Sequence, residues 1–272
     1  MNEVFDIIII GGGSAGVSAA LTALNRGKRV AVVTNPVETS NLYKAELVTN
    51  YPGLEGRTGS ELAKIFFKQL ESSAAHIIYG RALSVVPFGA VFGVAVGPDY
   101  YQAKAVIIAA GITREKLYPG EAEYLGRGVS YCATCDGMLY RGKTVALIGD
   151  SEEAGHDAAF LAGVGCNVLR FSDRGKYEIK GGLKADTLVA GGEEYAVDCV
   201  FIIKNTVSVS RLCEGIEYKD GGIVTDRRMA TSVPGVFAAG DCTGKPLQLP
   251  KAVGEGNIAA LSACEYIDSH NK

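Results

Sequence analysis

Short apolar runs closed by glycine or a polar residue recur along the chain, and several lead into stretches with helical spacing. Residues 4–10 (VFDIIII) read as a buried strand that ends in glycines. Beyond them Val17, Ala20, Leu21 and Leu24 repeat at three- and four-residue intervals, which predicts a helix, and Gly27 stands where a helix C-cap belongs. Residues 29–34 (RVAVVT) predict a second strand. A turn at 50–53 precedes a helix over 59–72, and strands follow at 103–109, 144–148, 167–171 and 197–203. Residues 231–241 give a turn, a strand and an acid at the strand's end; a last helix is expected over 257–267. Strands alternating with helices predict an α/β fold. Residues 114–128 have almost no periodic apolar pattern and read as a crossing linker.

Composition narrows this picture. The chain has 272 residues, a length typical of about two domains. Hydrophobic residues at 47% and charged residues at 21% exclude general disorder and supply a sizeable core. The 35 glycines are about 13% of the chain against a usual share of about 7%. They cluster where strands meet helices, as in a protein that binds something close to its backbone. A net charge of -3 gives no basic field for nucleic acid. Residues 1–6 carry acids instead of a basic leader, and the apolar run 7–10 is too short to span a bilayer. No membrane association and a cytoplasmic location are therefore expected. The seven cysteines are scattered and odd in number, unlike a secreted disulfide framework, and only Cys132 and Cys135 are closely spaced. Cys166, Cys199, Cys213, Cys242 and Cys264 sit mostly among apolar neighbours and are expected in the core.

The sequence GGGSAG (11–16) places G-x-G-x-x-G at a strand-to-helix turn inside a βαβ unit, the context that dinucleotide binding requires. Gly11 permits the tight turn, Gly13 the close approach of a pyrophosphate, and Gly16 helix packing on the strand; the helix N-terminus offers amides and partial positive charge. A purely structural turn is the alternative. Thr34 and Asn35 stand where a ribose-binding acid would end the second strand, which favours FAD over NAD. Ala110 and Gly111 close strand 103–109, and Gly240 precedes Asp241; with Thr34 these count as candidate cofactor contacts. Asp241 suits ribityl or ribose hydroxyls, its plainer reading being a cap.

Cys132-Ala133-Thr134-Cys135 can close a small disulfide ring in which a depressed thiolate pKa makes one sulfur a nucleophile. A zinc site would need two more ligands, and the three histidines are dispersed. Asp136 is either a proton donor and acceptor or a turn residue before Gly137. A second glycine turn, GDSEEA (149–154), is degraded: Ser151 replaces a glycine, and Asp150, Glu152 and Glu153 put negative charge where a pyrophosphate would sit. Its plain reading is a well-capped helix that binds no phosphate. Arg174, Lys176, Lys180 and Lys184 read as a solvated face or as a docking surface for an acidic protein.

The set GGGSAG (11–16), TNYPG (49–53), PGE (119–121), GRGVSYCATCDG (126–137) and TSVPGVFAAGD (231–241) resembles the low-molecular-weight thioredoxin reductases along nearly the whole chain. The resemblance implies two Rossmann-like, three-layer domains of the FAD/NAD(P) type, the second reduced in size. The FAD domain would comprise 1–113 and 226–272, and the C-x-x-C domain 114–225. It further implies that Gly11, Gly13, Ser14, Ala15 and Gly16 cradle the FAD pyrophosphate, that Asn50 and Gln248 lie near the flavin ring, and that Asp241 holds the ribityl chain. Cys135 would face the flavin, Cys132 would attack the partner disulfide, and Asp136 would serve as acid and base. Where the family binds NADPH, this chain has 149–154 and FSD (171–173), and from Arg174 onward the helix and β-hairpin that complete the family's NADPH domain are not found. Flavin and dithiol motifs without nucleotide motifs resemble the ferredoxin-linked flavin thioredoxin reductases. Thioredoxin and ferredoxin are the implied partners, and a homodimer the implied assembly. A divergent NADPH-dependent thioredoxin reductase and a reductase of another protein disulfide are the alternatives.

Overall fold

The computed structural model describes residues 4–54, 56–111, 117–203 and 209–270, and does not describe the side chains of Cys135, Ser210 and Arg211. The chain divides into two compact units, Met1–Thr113 with Ser208–Lys272, and Arg114–Val207. In chain order the first unit begins with β1 (Val4–Ile10), α1 (Ser14–Asn25), β2 (Val30–Thr34), α2 (Gly59–Glu71), β3 (His76–Tyr79), β4 (Ala82–Phe88), β5 (Val91–Val96) and β6 (Asp99–Ile108). The second unit holds α3 (Glu121–Tyr124), β7 (Val129–Ser130), α4 (Ala133–Asp136), β8 (Thr144–Ile148), α5 (Glu152–Gly163), β9 (Asn167–Phe171), β10 (Tyr177–Gly181), β11 (Ala185–Ala190), β12 (Glu193–Ala196) and β13 (Cys199–Ile202). The chain then returns with α6 (Val209–Leu212), β14 (Tyr218–Lys219), β15 (Gly222–Ile223), β16 (Val236–Ala238) and α7 (Leu249–His270).

The described strands of the first unit form a sheet in the order β3-β2-β1-β6-β5-β4, with β16 pairing β6. β1 is parallel to both β2 and β6, so its unbroken isoleucines are buried on both faces. Ile7 and Ile9 pack with α1 and α7, while Ile8 and Ile10 pack with Val85, Phe92 and Val94 of the antiparallel meander β4–β6. α1 and α7 approach closely because small residues line their contact: a Cβ on Gly256 would lie 2.1 Å from the Ala15 carbonyl oxygen. The helix expected over 257–267 therefore begins at Leu249. Pro250 is tolerated in its first turn, and Gly254 and Gly256 lie inside it.

In the second unit β7-β13-β8-β9 form a parallel sheet and β10-β11-β12 an antiparallel one. Val145, Leu147 and Phe201 pack with Ala154, Ala158 and Leu161 of α5, whereas Ala146, Ile148 and Val200 pack with Ile179 and Leu188 of the antiparallel strands. This is the three-layer α/β arrangement expected, but β10–β12 correct the expectation that no hairpin follows Arg174. The described part of the stretch read as a linker is also built into this unit: Ile179 N donates to Pro119 O at 2.8 Å, and Tyr124 and Glu121 are buried. The boundary expected at 226 lies earlier, because Val209, Leu212, Cys213 and Ile223 join the core around Val85 in the first unit. No helix among the described residues is long and apolar enough to cross a membrane.

Candidate functional site

At the first glycine turn, Gly11 and Gly16 are demanded by the backbone, and Gly12 by Thr34, whose Oγ1 would lie 2.4 Å from a Cβ there. Gly11 has φ +115°, and a Cβ there would lie 2.2 Å from Ala109 O; one on Gly16 would lie 1.8 Å from Gly11 O. Gly13 is different. Its φ is -77°, and among the described residues nothing lies within 4 Å of where a Cβ would stand. No internal contact requires glycine there, whereas a ligand passing over the turn does. Ser14, Ala15 and Gly16 open α1, which has no side-chain cap and no acid in its first turn. The helix thus keeps its amide donors and partial positive charge for a ligand. Thr34 takes another part: its Oγ1 accepts from Gly12 N at 3.1 Å and donates to Asn35 O at 3.0 Å, so it braces the turn.

Two further candidate residues meet although nearly 200 positions separate them: Asn50 Nδ2 donates to Gln248 Oε1 at 2.6 Å. Gly111 has φ +70° and Gly240 φ +84°, which lets the backbone bend sharply at the ends of β6 and β16. Asp241 follows on a 3-10 turn, Gly240–Thr243. Among the described residues no donor hydrogen-bonds its half-buried carboxylate. Burial pushes the carboxyl above its ordinary value; Lys251 opposes the rise and Glu255 adds to it. An open helix end, room above Gly13 and an unsatisfied carboxylate are what a pyrophosphate joined to a polyhydroxyl chain needs, so these residues fit FAD. Sequence reasoning missed Lys251, Glu255 and Thr243, which tie down the turn carrying Asp241.

The second glycine turn is closed by its own side chains. Ser151 Oγ accepts from Ala154 N at 3.1 Å, which caps α5, and Glu152 and Glu153 occupy the first turn. Ser172 Oγ donates to Asp150 Oδ2 at 2.6 Å, joining the carboxyl ends of β8 and β9. This hydrogen bond holds the Asp150 carboxyl below its ordinary value, with the Asp173 backbone N–H and Arg174 adding to the effect. The edge where a doubly wound sheet receives a nucleotide is therefore anionic here.

The cysteine motif sits on the same unit. Ala133 is fully buried under α5, and Gly137 lets the loop lie on that helix, since a Cβ would stand 2.8 Å from Leu161 Cδ2. Cys132 is buried and disulfide-bonded; the side chain of Cys135 lies outside the described residues. Cys132 N donates to Ser130 Oγ at 3.1 Å, Ser130 Oγ donates to Asp136 Oδ2 at 2.7 Å, and Asp136 N donates to Cys132 O at 3.2 Å. The loop thus holds the acid beside the cysteine segment. Tyr131 Oη donates to Glu121 Oε1 at 2.9 Å, which anchors the residue preceding Cys132. Met138 and Leu139 are exposed just beyond the motif. The five remaining cysteines are buried free thiols. Burial pushes Cys199 and Cys242 up to about 12, so neither supplies a thiolate at neutral pH. Among the described residues no group of His, Cys, Asp and Glu is arranged to hold a metal ion.

Residues 5–174 and 164–256 match the family described as pyridine nucleotide-disulphide oxidoreductase. The chain belongs to this family. Within these oxidoreductases it is similar to thioredoxin reductases: that of Bacillus subtilis is 32% identical over 302 aligned positions, covering 98% of this chain and 96% of the relative. The Treponema pallidum enzyme is 33% identical and covers 99% of each chain. Among solved structures, a ferredoxin-flavin thioredoxin reductase from Clostridium acetobutylicum is 37% identical over 99% of both chains, with a TM-score of 0.89. The oxidoreductase is thus a thioredoxin reductase homologue of the flavoprotein type.

Proposed function

We propose that this protein is an FAD-dependent thioredoxin reductase that draws electrons from reduced ferredoxin, in the cytoplasm and as a homodimer. The observation that carries the choice of donor is the contrast between two helix ends. α1 presents an open N-terminus below Gly13, while α5 is capped by Ser151 and surrounded by Asp150, Glu152 and Glu153. A dianionic or trianionic nucleotide is attracted to the first and repelled by the second. The similarity to the clostridial ferredoxin-flavin enzyme supports the same reading.

Gly11, Gly13, Ser14, Ala15 and Gly16 would hold the pyrophosphate of FAD, Asp241 would accept from its ribityl hydroxyls, and Asn50 and Gln248 would border its ring. Ala110, Gly111 and Gly240 supply backbone, and Thr34 braces the glycine turn. FAD held there would supply the chemistry that turns single electrons into a pair. The pair reduces the Cys132–Cys135 disulfide, and Asp136, held by Ser130, moves the proton. The Cys132 thiolate then attacks thioredoxin's disulfide, and Cys135 displaces reduced thioredoxin and restores the enzyme disulfide. Two reduced ferredoxins and two protons are consumed per disulfide opened. A plant-type ferredoxin near about -400 mV and thioredoxin near about -270 mV differ by about 130 mV, about 6 kcal/mol for two electrons. Exposed Met138 and Leu139 suit an apolar collar around a protein disulfide.

The test is anaerobic bleaching of the flavin by NADPH, NADH or reduced ferredoxin, followed by oxidised thioredoxin. Bleaching by ferredoxin alone, reversed by thioredoxin, is expected; rapid bleaching by NADPH would overturn the choice of donor. Cys132→Ser should retain FAD and lose thioredoxin reduction, and normal turnover in that variant would remove Cys132 from the mechanism.

A further inference from the structure

Lys251 breaks a local rule. It lies in the first turn of α7, where the helix's own partial charge is positive and where no acidic residue stands. Its contacts show where the ammonium goes. Lys251 Nζ donates to Gly240 O at 2.9 Å, Gly244 O at 2.7 Å and Thr243 Oγ1 at 2.8 Å. All three of its protons are committed to the turn that carries Asp241. One helical turn later, Glu255 Oε2 accepts from Gly240 N and from Thr243 Oγ1, each at 2.9 Å. Lys251 Nζ and Glu255 Oε2 stand 3.2 Å apart, and both side chains are largely buried.

The amide and the carbonyl of Gly240 are thus both gripped from α7, the first by Glu255 and the second by Lys251. The turn needs this grip. It runs between Gly240 at φ +84° and Gly244 at φ +97°, two backbone positions with high conformational freedom. From the opposite side the Cys242 thiol donates to Ile108 O, at 3.2 Å. Every polar side chain on the turn is occupied by protein except the Asp241 carboxylate. We propose that the Lys251–Glu255 pair is a positioning device that fixes the Asp241 carboxylate for the ribityl hydroxyls of FAD, and so sets how long the flavin stays bound. This deepens the proposed function and rests on its assignment of FAD to the first unit.

The experiment follows FAD release from the holoenzyme after dilution, by the rise in flavin fluorescence, with the visible circular dichroism of the bound flavin as a second readout. Lys251→Met should release FAD at least 10-fold faster and change the visible dichroism while the far-ultraviolet spectrum stays native. Glu255→Gln, which keeps the side chain's size, should act in the same direction. The decisive arm repeats Lys251→Met in an Asp241→Asn background reconstituted with excess FAD. If the pair acts through Asp241, the added effect there should fall below 2-fold. Release within 2-fold of wild type in both single variants overturns the proposal, and so does an equal effect in both backgrounds, which would mean general loosening. Wild-type protein that neither carries nor takes up FAD would overturn the flavin reading and this proposal together, a result distinct from failure of the pair alone.

Discussion

Gly13 and Gly16 occupy one motif for different reasons, and substitution separates them. Alanine at Gly16 would place a Cβ 1.8 Å from a backbone oxygen, so Gly16→Ala should lose native folding in a thermal melt. Gly13→Ala meets no protein atom and has an ordinary φ, so the variant should fold with stability within about 1 kcal/mol of wild type. Its flavin absorbance per chain should nevertheless fall several-fold. Unchanged flavin content would return Gly13 to a merely structural role. Asp241 makes a second prediction, with a sign. Its raised carboxyl favours the folded, FAD-free chain fully below the ordinary value of 3.8, and that benefit is lost as the pH climbs through the raised value. At neutral pH the FAD-free fold carries a half-buried anion with no hydrogen-bond donor among the described residues. FAD-free Asp241→Asn should therefore melt above FAD-free wild type at pH 7, with the gap closing toward pH 4, while its holoenzyme loses flavin faster. The motif glycines and Asp241 are legible in sequence because their chemistry is local. The roles of Thr34, Lys251 and Glu255 are not, since each depends on a partner brought in by the fold.

At the scale of elements, capping separates a helix that receives a ligand from one that is complete in itself. α5 has Ser151 as its cap, so Ser151→Ala should cost about 1 kcal/mol. A denaturant titration would read this as a lower midpoint at unchanged slope, with flavin content unaltered. Recovery of NADPH-dependent bleaching on removing Ser151 alone would contradict the reading, because Asp150, Glu152 and Glu153 remain. α2 is readable from sequence almost to the residue, because Thr58 and Glu61 form a capping box at its start. The antiparallel strands of the second unit are harder to read. Tyr177, Ile179 and the glycines at 181–182 and 191–192 carry a two-residue period and turn signals. Charged residues fill the outward positions and thin the apolar signal. α7 fails in the opposite way: its glycines look like breaks until the close approach of α1 explains them.

On the scale of the whole molecule, each unit has its own core, and the proposed functions divide between them. The residues proposed to hold the flavin all lie within Met1–Thr113 and Ser208–Lys272, and the cysteine motif lies within Arg114–Val207. Ligand that binds only the native state stabilises by mass action, about 2.7 kcal/mol at 100 times its dissociation constant. That increment belongs to the structure whose opening breaks the site. Adding FAD to flavin-stripped protein should therefore slow amide exchange in β1, α1, β6, β16 and α7, most strongly at 11–17 and 239–256. Reducing the disulfide of Cys132 should change exchange around 129–140 instead. Hydrogen exchange read by mass spectrometry separates these responses in one preparation. Protection by FAD confined to 117–203 would place the flavin in the wrong unit and would undo the assignment of both helix ends.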